Sequence, residues 1–296
     1  MTKFPHVWRV TILTTDKTVN AFEEALNPYC EAIFWHPTDS KGEWQVEGFS
    51  KSKINRGKLV RALGVVADVF SVPVPEILIV AVSSGKGLSD SLKRFPPINA
   101  GRFFVYGSHF HKPPPYGQIP ILLNPGRAFG SGSHATTLGC LLAISDLVGK
   151  KKFTRPIDMG CGSGILSVAL AKALRVQVHG FDVDKNAVLV AKENISRNSV
   201  SSLIYAGYSN AYGSSKVKDK APYDLVVSNI LANPLRQMAK NMSRISRNIS
   251  MGGCVVILSG FHNYDANRVY SIHSAYGFRK VRSYHINGWC TLVLKR

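Results

Sequence analysis

The chain has 296 residues, of which 45% are hydrophobic and 19% are charged, a balance typical of a soluble globular protein with room for two domains. Its apolar runs are too short to cross a bilayer, and the first residues lack the apolar stretch of a secretory signal. We therefore expect a cytoplasmic protein with no membrane segment. The five scattered cysteines form no C-x-x-C pair, which favours free thiols over structural zinc.

The charge is strongly basic, with 37 Lys and Arg against 18 Asp and Glu and a formal net charge of +19. Residues 116–296 carry 23 of these basic residues and 8 of the acidic ones. A field of this sign attracts polyanions such as RNA. A generally basic proteome would give the same composition without any specific partner, so the charge alone leaves both interpretations open.

The first 82 residues predict the order β-α-β-β-α-β. Strands are expected at 7–13, 32–35, 43–49 and 76–82, and helices at 18–26 and 58–70, from the apolar periodicity of each stretch. This order is typical of a ferredoxin-like α+β fold, which hosts many functions and identifies none. We assign residues 1–95 to this domain and residues 96–118 to a Pro-rich linker with one short strand at 102–106.

Residues 119–296 alternate short apolar strands with helices, which predicts an open, mostly parallel sheet covered on both faces. Strands are expected at 157–159, 176–181, 203–205, 225–227 and 255–258. The last two strands, 278–286 and 289–294, meet at Asn287-Gly288. Asn-Gly is a strong signal for a tight hairpin because both residues tolerate positive φ. The sheet should therefore end in an antiparallel hairpin.

A glycine-rich loop, Asp158-Met159-Gly160-Cys161-Gly162-Ser163-Gly164, lies between a predicted strand and a predicted helix. Such glycines let the backbone approach a ligand closely. Asp182 ends the next strand, about 20 residues after the first glycine, where a carboxylate can accept the hydroxyls of a ribose. The G-x-G-x-G spacing fits a nucleoside with an amino-acid tail better than a dinucleotide, whose loop reads G-x-G-x-x-G.

Two further segments carry candidate binding groups. Asn229, in Ser-Asn-Ile-Leu, follows a strand, and its amide can hold an amine without ionising it. The Gly/Ser-rich run 124–137 leads into a helix, which Thr137 could cap while reaching the same ligand. We interpret His134 within it as structural. His109 and His111 lack a partner carboxylate, so no metal site is expected.

These motifs together resemble the ribosomal protein L-eleven methyltransferase (PrmA) family. The run N-P-G-R-A-F-G-S-G-S-H-A-T-T is similar to the D-P-G-x-A-F-G-T-G-x-H-x-T-T signature of that family, and D-M-G-C-G-S-G-I-L, F-D-V-D, S-N-I-L-A-N-P-L and the closing G-W-C follow in the family order. The departures are Ser228 for the usual Ala, Asn124 for Asp, the basic charge, and a longer stretch between Tyr205 and Tyr223 that reads as a surface insertion.

The resemblance implies a Rossmann-like S-adenosylmethionine-dependent methyltransferase domain at 119–296, an N-terminal substrate-recognition domain, and no metal. It implies cofactor contacts from Thr137, Gly160, Gly162, Asp182 and Asn229, with Asn229 also orienting the acceptor amine. The implied substrate is the stalk-base protein of the large ribosomal subunit, methylated on lysine ε-amines and the N-terminal amine. Apart from the resemblance, we expect a monomer and, from the basic charge, a contact with ribosomal RNA.

Three other readings stay open at this point. The methyl acceptor could be another protein, such as a flavoprotein subunit, or a small amine. The enzyme could be a nicotinamide-dependent dehydrogenase, although the loop spacing and the terminal hairpin count against it. The chain could also be a ribosome- or RNA-binding module without catalysis.

Overall fold

The computed structural model describes residues 6–30, 32–40, 42–50, 52–83, 97–108, 110–123 and 135–296. The chain divides into two compact units, residues 1–95 and 96–296. The loop at 124–134, with His134 and most of the Gly/Ser-rich run, lies outside the described residues, as does His109.

The first unit has the predicted ferredoxin-like arrangement. Its strands are β1 (His6–Thr15), β2 (Ala32–Pro37), β3 (Glu43–Ser50) and β4 (Leu78–Ser83), and its helices are α1 (Val19–Leu26) and α2 (Arg56–Phe70). All neighbouring strands are antiparallel, in the order β2-β3-β1-β4. Alternate residues of β1, Val10 and Ile12, pack with Phe22 of α1 and Leu59 of α2 in the core. Asn55 caps α2 by accepting a hydrogen bond from the N–H of Lys58 at 3.0 Å.

The second unit begins with a small sheet of β5 (Ile98–Ala100), β6 (Phe103–Tyr106) and β7 (Ile119–Leu122). Two of these strands fall within the stretch predicted as a Pro-rich linker, where only one strand was expected. Their apolar side chains explain the difference, because Ala100 of β5 and Phe103 and Val105 of β6 are buried in the core of this unit.

The main sheet has seven strands in the order β10-β9-β8-β11-β12-β14-β13. Its parallel strands are β8 (Pro156–Met159), β9 (Val178–Asp182), β10 (Ile204–Tyr208), β11 (Leu225–Asn229) and β12 (Val255–His262). The helices of this unit are α3 (Ala135–Leu147), α4 (Ile165–Leu174), α5 (Lys185–Arg197), α6 (Ser215–Lys218), α7 (Ala232–Ile245) and α8 (Ala266–Ser274). Successive residues of β11 face two different cores, since Leu225 and Val227 lie in one and Val226 in the other. The sheet is therefore covered on both faces, as predicted.

The chain ends in the predicted antiparallel hairpin of β13 (Arg279–Ile286) and β14 (Trp289–Lys295), which pairs with β12. Both turn residues have positive φ, 48° for Asn287 and 80° for Gly288. The Asn-Gly pair thus makes the tight turn for which its two residue types are suited.

The stretch between Tyr205 and Tyr223 is not simply a surface insertion. Its lysines 216, 218 and 220 are exposed, but Tyr212 and Val217 are completely buried in the core beneath α7. The prediction gave weight to the lysines and missed these two apolar anchors. None of the described helices is both long and apolar enough to cross a membrane.

Candidate active site

The candidate site lies where the strand order of the main sheet reverses. The chain leaves β8 toward β9 on one side, and β11 lies on the other side of β8. Connections that depart in opposite directions leave a crevice outside the carboxyl ends of such strands, where open α/β sheets bind their ligands. At this edge the glycine-rich loop follows β8, Asp182 is the last residue of β9, and Asn229 is the last residue of β11.

The glycine-rich loop turns sharply between β8 and α4. Gly160, Gly162 and Gly164 have φ values of 77°, 52° and 79°, a region that strongly favours glycine. The N–H groups of Gly160 and Cys161 donate to the carbonyl of Phe181 at 2.8 and 3.0 Å. The loop is therefore fastened to the end of β9, next to Asp182.

Asp182 holds the loop from its side chain as well. Its Oδ2 accepts from the N–H of Gly162 at 2.8 Å, and its Oδ1 accepts from the N–H of Asp184 at 2.9 Å. A carboxylate has about four acceptor positions, so about two remain for a ligand. Asp184 caps the following helix by accepting from the N–H of Asn186 at 2.8 Å.

Asn229 ends β11 and faces α3. Its side-chain NH₂ donates to the Thr137 hydroxyl at 3.3 Å. Its Oδ1 is buried and has no hydrogen-bond partner among the residues that the structure describes. A buried acceptor without a donor is costly, so this oxygen is open to a donor from a ligand.

Thr137 lies within hydrogen-bond distance of Asn229, but it does not cap the helix. The described part of α3 already begins at Ala135, and Thr137 is fully buried within its first turn. The capping prediction was wrong because it placed the helix start at residue 138. The hydroxyl instead serves as a tertiary contact that fixes the orientation of the Asn229 amide.

Two glycines clamp the residue after Asn229, and one of them was missed in the sequence. A Cβ on Gly160 would lie 2.2 Å from Cγ2 of Ile230, and a Cβ on Gly260 would lie 2.3 Å from the Ile230 carbonyl oxygen. The Ile230 N–H also donates to the Ser259 carbonyl at 3.0 Å. Ile230 is thus held from both sides, which fixes the backbone that carries Asn229. The signal for Gly260 was present, because a lone glycine in a strand pattern suggests a bulge or a close backbone approach.

Asp158 lies buried beneath the glycine-rich loop, and the sequence did not predict its protonation state. Burial raises the pKa of Asp158 to about 7, although the hydrogen bond from the Ser167 hydroxyl opposes the shift. That bond is 2.6 Å long, and the other carboxyl oxygen has no partner among the described residues. Nearby, Ser228 donates to the Met159 carbonyl at 2.8 Å, which gives this departure from the family pattern a role in fixing the loop.

The remaining candidate groups give no alternative chemistry. Burial raises the pKa of the Cys161 thiol well above its usual range, so it is a poor nucleophile at neutral pH. No three His, Cys, Asp or Glu side chains are grouped to hold a metal within the part of the chain that the structure describes. His111 is exposed.

These residues fit an adenosyl cofactor with an amino-acid tail. Asp182 keeps acceptor positions for the ribose hydroxyls, and Asn229 keeps a buried acceptor for an N–H group. A parallel sheet with this loop at its switch point, closed by an antiparallel hairpin, defines the chain as an S-adenosylmethionine-dependent methyltransferase by class.

Comparison with known proteins identifies the family. The model of the family "Ribosomal protein L11 methyltransferase (PrmA)" matches residues 10–296, and the chain belongs to that family. A protein of this name from a Caulobacter species is 32% identical over 258 residues, covering 87% of this chain and 85% of the relative. A second, from Rhizobium leguminosarum, is 37% identical over 206 residues, covering 70% of this chain and 69% of the relative.

A solved structure shares the fold. The ribosomal protein L11 methylase from Lactobacillus delbrueckii subsp. bulgaricus superposes with a TM-score of 0.58 at 24% identity, covering 68% of this chain and 99% of that one. At this identity the likeness concerns the fold alone.

Proposed function

We propose that the chain methylates the stalk-base protein of the large ribosomal subunit, on lysine ε-amines and on the N-terminal amine. The carrying observation is Asn229, whose buried Oδ1 lacks a donor at the carboxyl edge of the sheet while Thr137 accepts from its NH₂. A primary amine supplies the N–H group that this oxygen lacks. The names of the relatives support the choice of protein.

The bound S-adenosylmethionine would supply an activated methyl group on a sulfonium. We assign its binding to Thr137, Gly160, Gly162, Asp182 and Asn229. The chain's own task is then mainly to position the acceptor. With its NH₂ engaged by Thr137, the Asn229 amide presents only its oxygen to the amine, so the amine nitrogen keeps its lone pair for the methyl group.

The acceptor amine has to be neutral when it reacts. A free lysine has a pKa of about 10.4, and both burial and a positive surrounding field lower the pKa of an amine. The basic charge of residues 116–296 acts in this direction. The proton leaves to water before transfer, and no buried base has to be invoked.

The other parts of the proposal concern context. We assign substrate recognition to residues 1–95 and methyl transfer to residues 119–296, and we expect a cytoplasmic monomer. The strongly basic charge supports a contact with ribosomal RNA around the substrate.

The test is methylation of the purified stalk-base protein with labelled S-adenosylmethionine, followed by mass spectrometry of the modified sites. We expect Asn229→Ala to lower turnover at least ~10-fold, a loss of about 1.4 kcal/mol or more of transition-state stabilisation. The control is Asn248→Ala, which changes an exposed asparagine at the opposite edge of the sheet. Full turnover by Asn229→Ala would show that Asn229 does not orient the acceptor amine. If a different protein or a small amine in cell extract is labelled instead, that molecule takes the place of the stalk-base protein as the proposed substrate.

A further inference from the structure

The basic residues of the second unit gather at the amino-terminal edge of the main sheet, opposite the candidate active site. Three segments lead into the strands at this edge: residues 148–155 before β8, residues 215–224 before β11, and residues 244–254 before β12. Together with the end of β14 they carry eleven basic and two acidic residues. The basic ones are Lys150, Lys151, Lys152, Arg155, Lys216, Lys218, Lys220, Arg244, Arg247, Lys295 and Arg296.

Contacts between the segments join them into one surface, which we call the basic edge. The Lys151 ammonium donates to the Gly252 carbonyl at 3.0 Å, and Arg155 donates to the Ala221 carbonyl at 3.5 Å. The N–H of Cys254 donates to the Arg296 carbonyl at 3.1 Å. The three segments and the last strand are therefore neighbours in space as well as at the same ends of their strands.

The acids of the basic edge do not neutralise it. Asp224 is buried, and Arg247 and the groups of Thr154 and Arg155 already surround it. Asp219 is exposed but stands between Lys218 and Lys220. Burial lowers the pKa of His179, and the nearby charges of Lys220 and Arg155 lower it further. Uncompensated positive charge thus reaches across the start of β9 as well.

The make-up of the surface favours one kind of polyanion. The two aromatic residues of these segments, Phe153 and Tyr223, are buried. Tyr205, beside His179, is the half-exposed ring next to them, which is a single ring rather than a row on which successive unpaired bases stack. Among the side chains of these segments that the structure describes, Met251 is the exposed large apolar one, which is little to insert into a lipid surface. Exposed lysines and arginines without a row of stacking rings suit the phosphate backbone of folded RNA.

We propose that the basic edge docks double-helical RNA while the opposite edge of the sheet transfers methyl groups. The inference builds on the proposed function, since an RNA-bound ribosomal protein would present both partners at once. RNA docking and methyl transfer use opposite edges of the main sheet, so they can be tested separately.

The test is fluorescence anisotropy of a labelled RNA hairpin, titrated with the full chain at two salt concentrations. We expect Lys152→Glu with Lys220→Glu to weaken binding at least ~10-fold and to reduce the salt slope by about two, since each lost phosphate contact changes it by about 0.9. The matched control is Lys192→Glu with Arg268→Glu, which changes the net charge equally on exposed helical positions outside the basic edge. The control should weaken binding less than ~3-fold.

Equal losses in both double variants would overturn the inference, because net charge rather than this surface would then drive binding. Binding of the wild-type chain to anionic phospholipid vesicles but not to the hairpin would overturn it in favour of a membrane. Circular dichroism shows whether each variant is folded, and the double variant Lys152→Ala with Lys220→Ala repeats the test with a milder change. Methylation of the isolated stalk-base protein by the Lys152→Glu, Lys220→Glu variant should stay within about twofold of wild type, so a failure of RNA docking can be told from a failure of the proposed function.

Discussion

Two aspartates, one at each edge of the main sheet, show how the same side chain serves different ends. Asp182, at the carboxyl edge, accepts two backbone N–H groups and is 9% exposed. Asp224, at the amino edge, is 2% exposed and accepts from the Thr154 N–H and hydroxyl and the Arg155 N–H, and also pairs with Arg247 at 3.3 Å.

The difference lies in the acceptor positions left over. A carboxylate offers about four of them. Asp224 has three of its partners on Oδ2 and one on Oδ1, so it joins the starts of β8 and β11 and keeps at most one acceptor position. Asp182 keeps about two, beside a loop whose backbone can approach a ligand closely. The number of acceptor positions that the chain itself occupies separates a carboxylate engaged in the fold from one that can still accept a ligand.

Gly260 lies on β12 near the carboxyl edge, and Gly252 lies just before β12 at the amino edge. The same substitution at both positions compares the two edges and has the largest expected effect. Gly260 and Gly252 have φ values of 93° and 91°, but a Cβ on Gly260 would lie within 3 Å of three backbone atoms of Ile230, whereas a Cβ on Gly252 meets nothing within 4 Å. We expect Gly260→Ala to lower the free energy of unfolding by about 3 kcal/mol or more, from strain and overpacking. Gly252→Ala should cost about 1 kcal/mol, from strain alone. Urea unfolding measures both, and equal costs would mean that the clamp on Ile230 is absent.

Asp224→Ala should have the next largest effect on stability. It leaves the Arg247 charge and two N–H groups without their acceptor, so we expect a loss of about 2–3 kcal/mol in the free energy of unfolding. Affinity for S-adenosylmethionine, measured by calorimetry in the folded variant, should stay within about twofold of wild type. A large drop in affinity would show that the amino edge is coupled to the cofactor site.

Asp182→Ala should show the opposite pattern. Loss of the ribose acceptor is expected to weaken cofactor affinity at least ~10-fold, or about 1.4 kcal/mol. Its neighbour supplies the control, because Asp184→Ala removes a helix cap worth about 1 kcal/mol of stability and no proposed cofactor contact. Unchanged calorimetric affinity in Asp182→Ala would refute the ribose assignment.

The last comparison concerns the pH dependence of stability rather than a single free-energy difference. Because burial raises the pKa of Asp158 from 3.8 to about 7, the folded state binds more protons than the unfolded state between these values. The contribution of Asp158 is therefore fully present below pH 3.8 and is lost as the pH rises through about 7. Asp158→Asn should remove this loss, so the melting temperature of the variant should gain on that of wild type from pH 5 to pH 8. Parallel pH profiles would mean that Asp158 is ionised throughout this range.

Much of the architecture could be predicted because it depends on near neighbours. Alternating and helical apolar periods marked the strands and helices, Asn287-Gly288 marked the hairpin, and the glycine-rich loop with Asp182 marked the ligand edge. Each of these signals comes from a few consecutive residues whose backbone preferences or side-chain spacing act locally. The family resemblance added the chemistry that such patterns leave open.

Only the tertiary structure decided which groups meet across the sheet. It joined Thr137 to Asn229, placed Ile230 between Gly160 and Gly260, and gave Asp224 its partners. It also buried Tyr212 and Val217 in a stretch that looked like surface. These contacts join residues far apart in the chain or depend on which face of an element the fold covers. No local pattern contains that information, because burial and pairing are properties of the packed sheet as a whole.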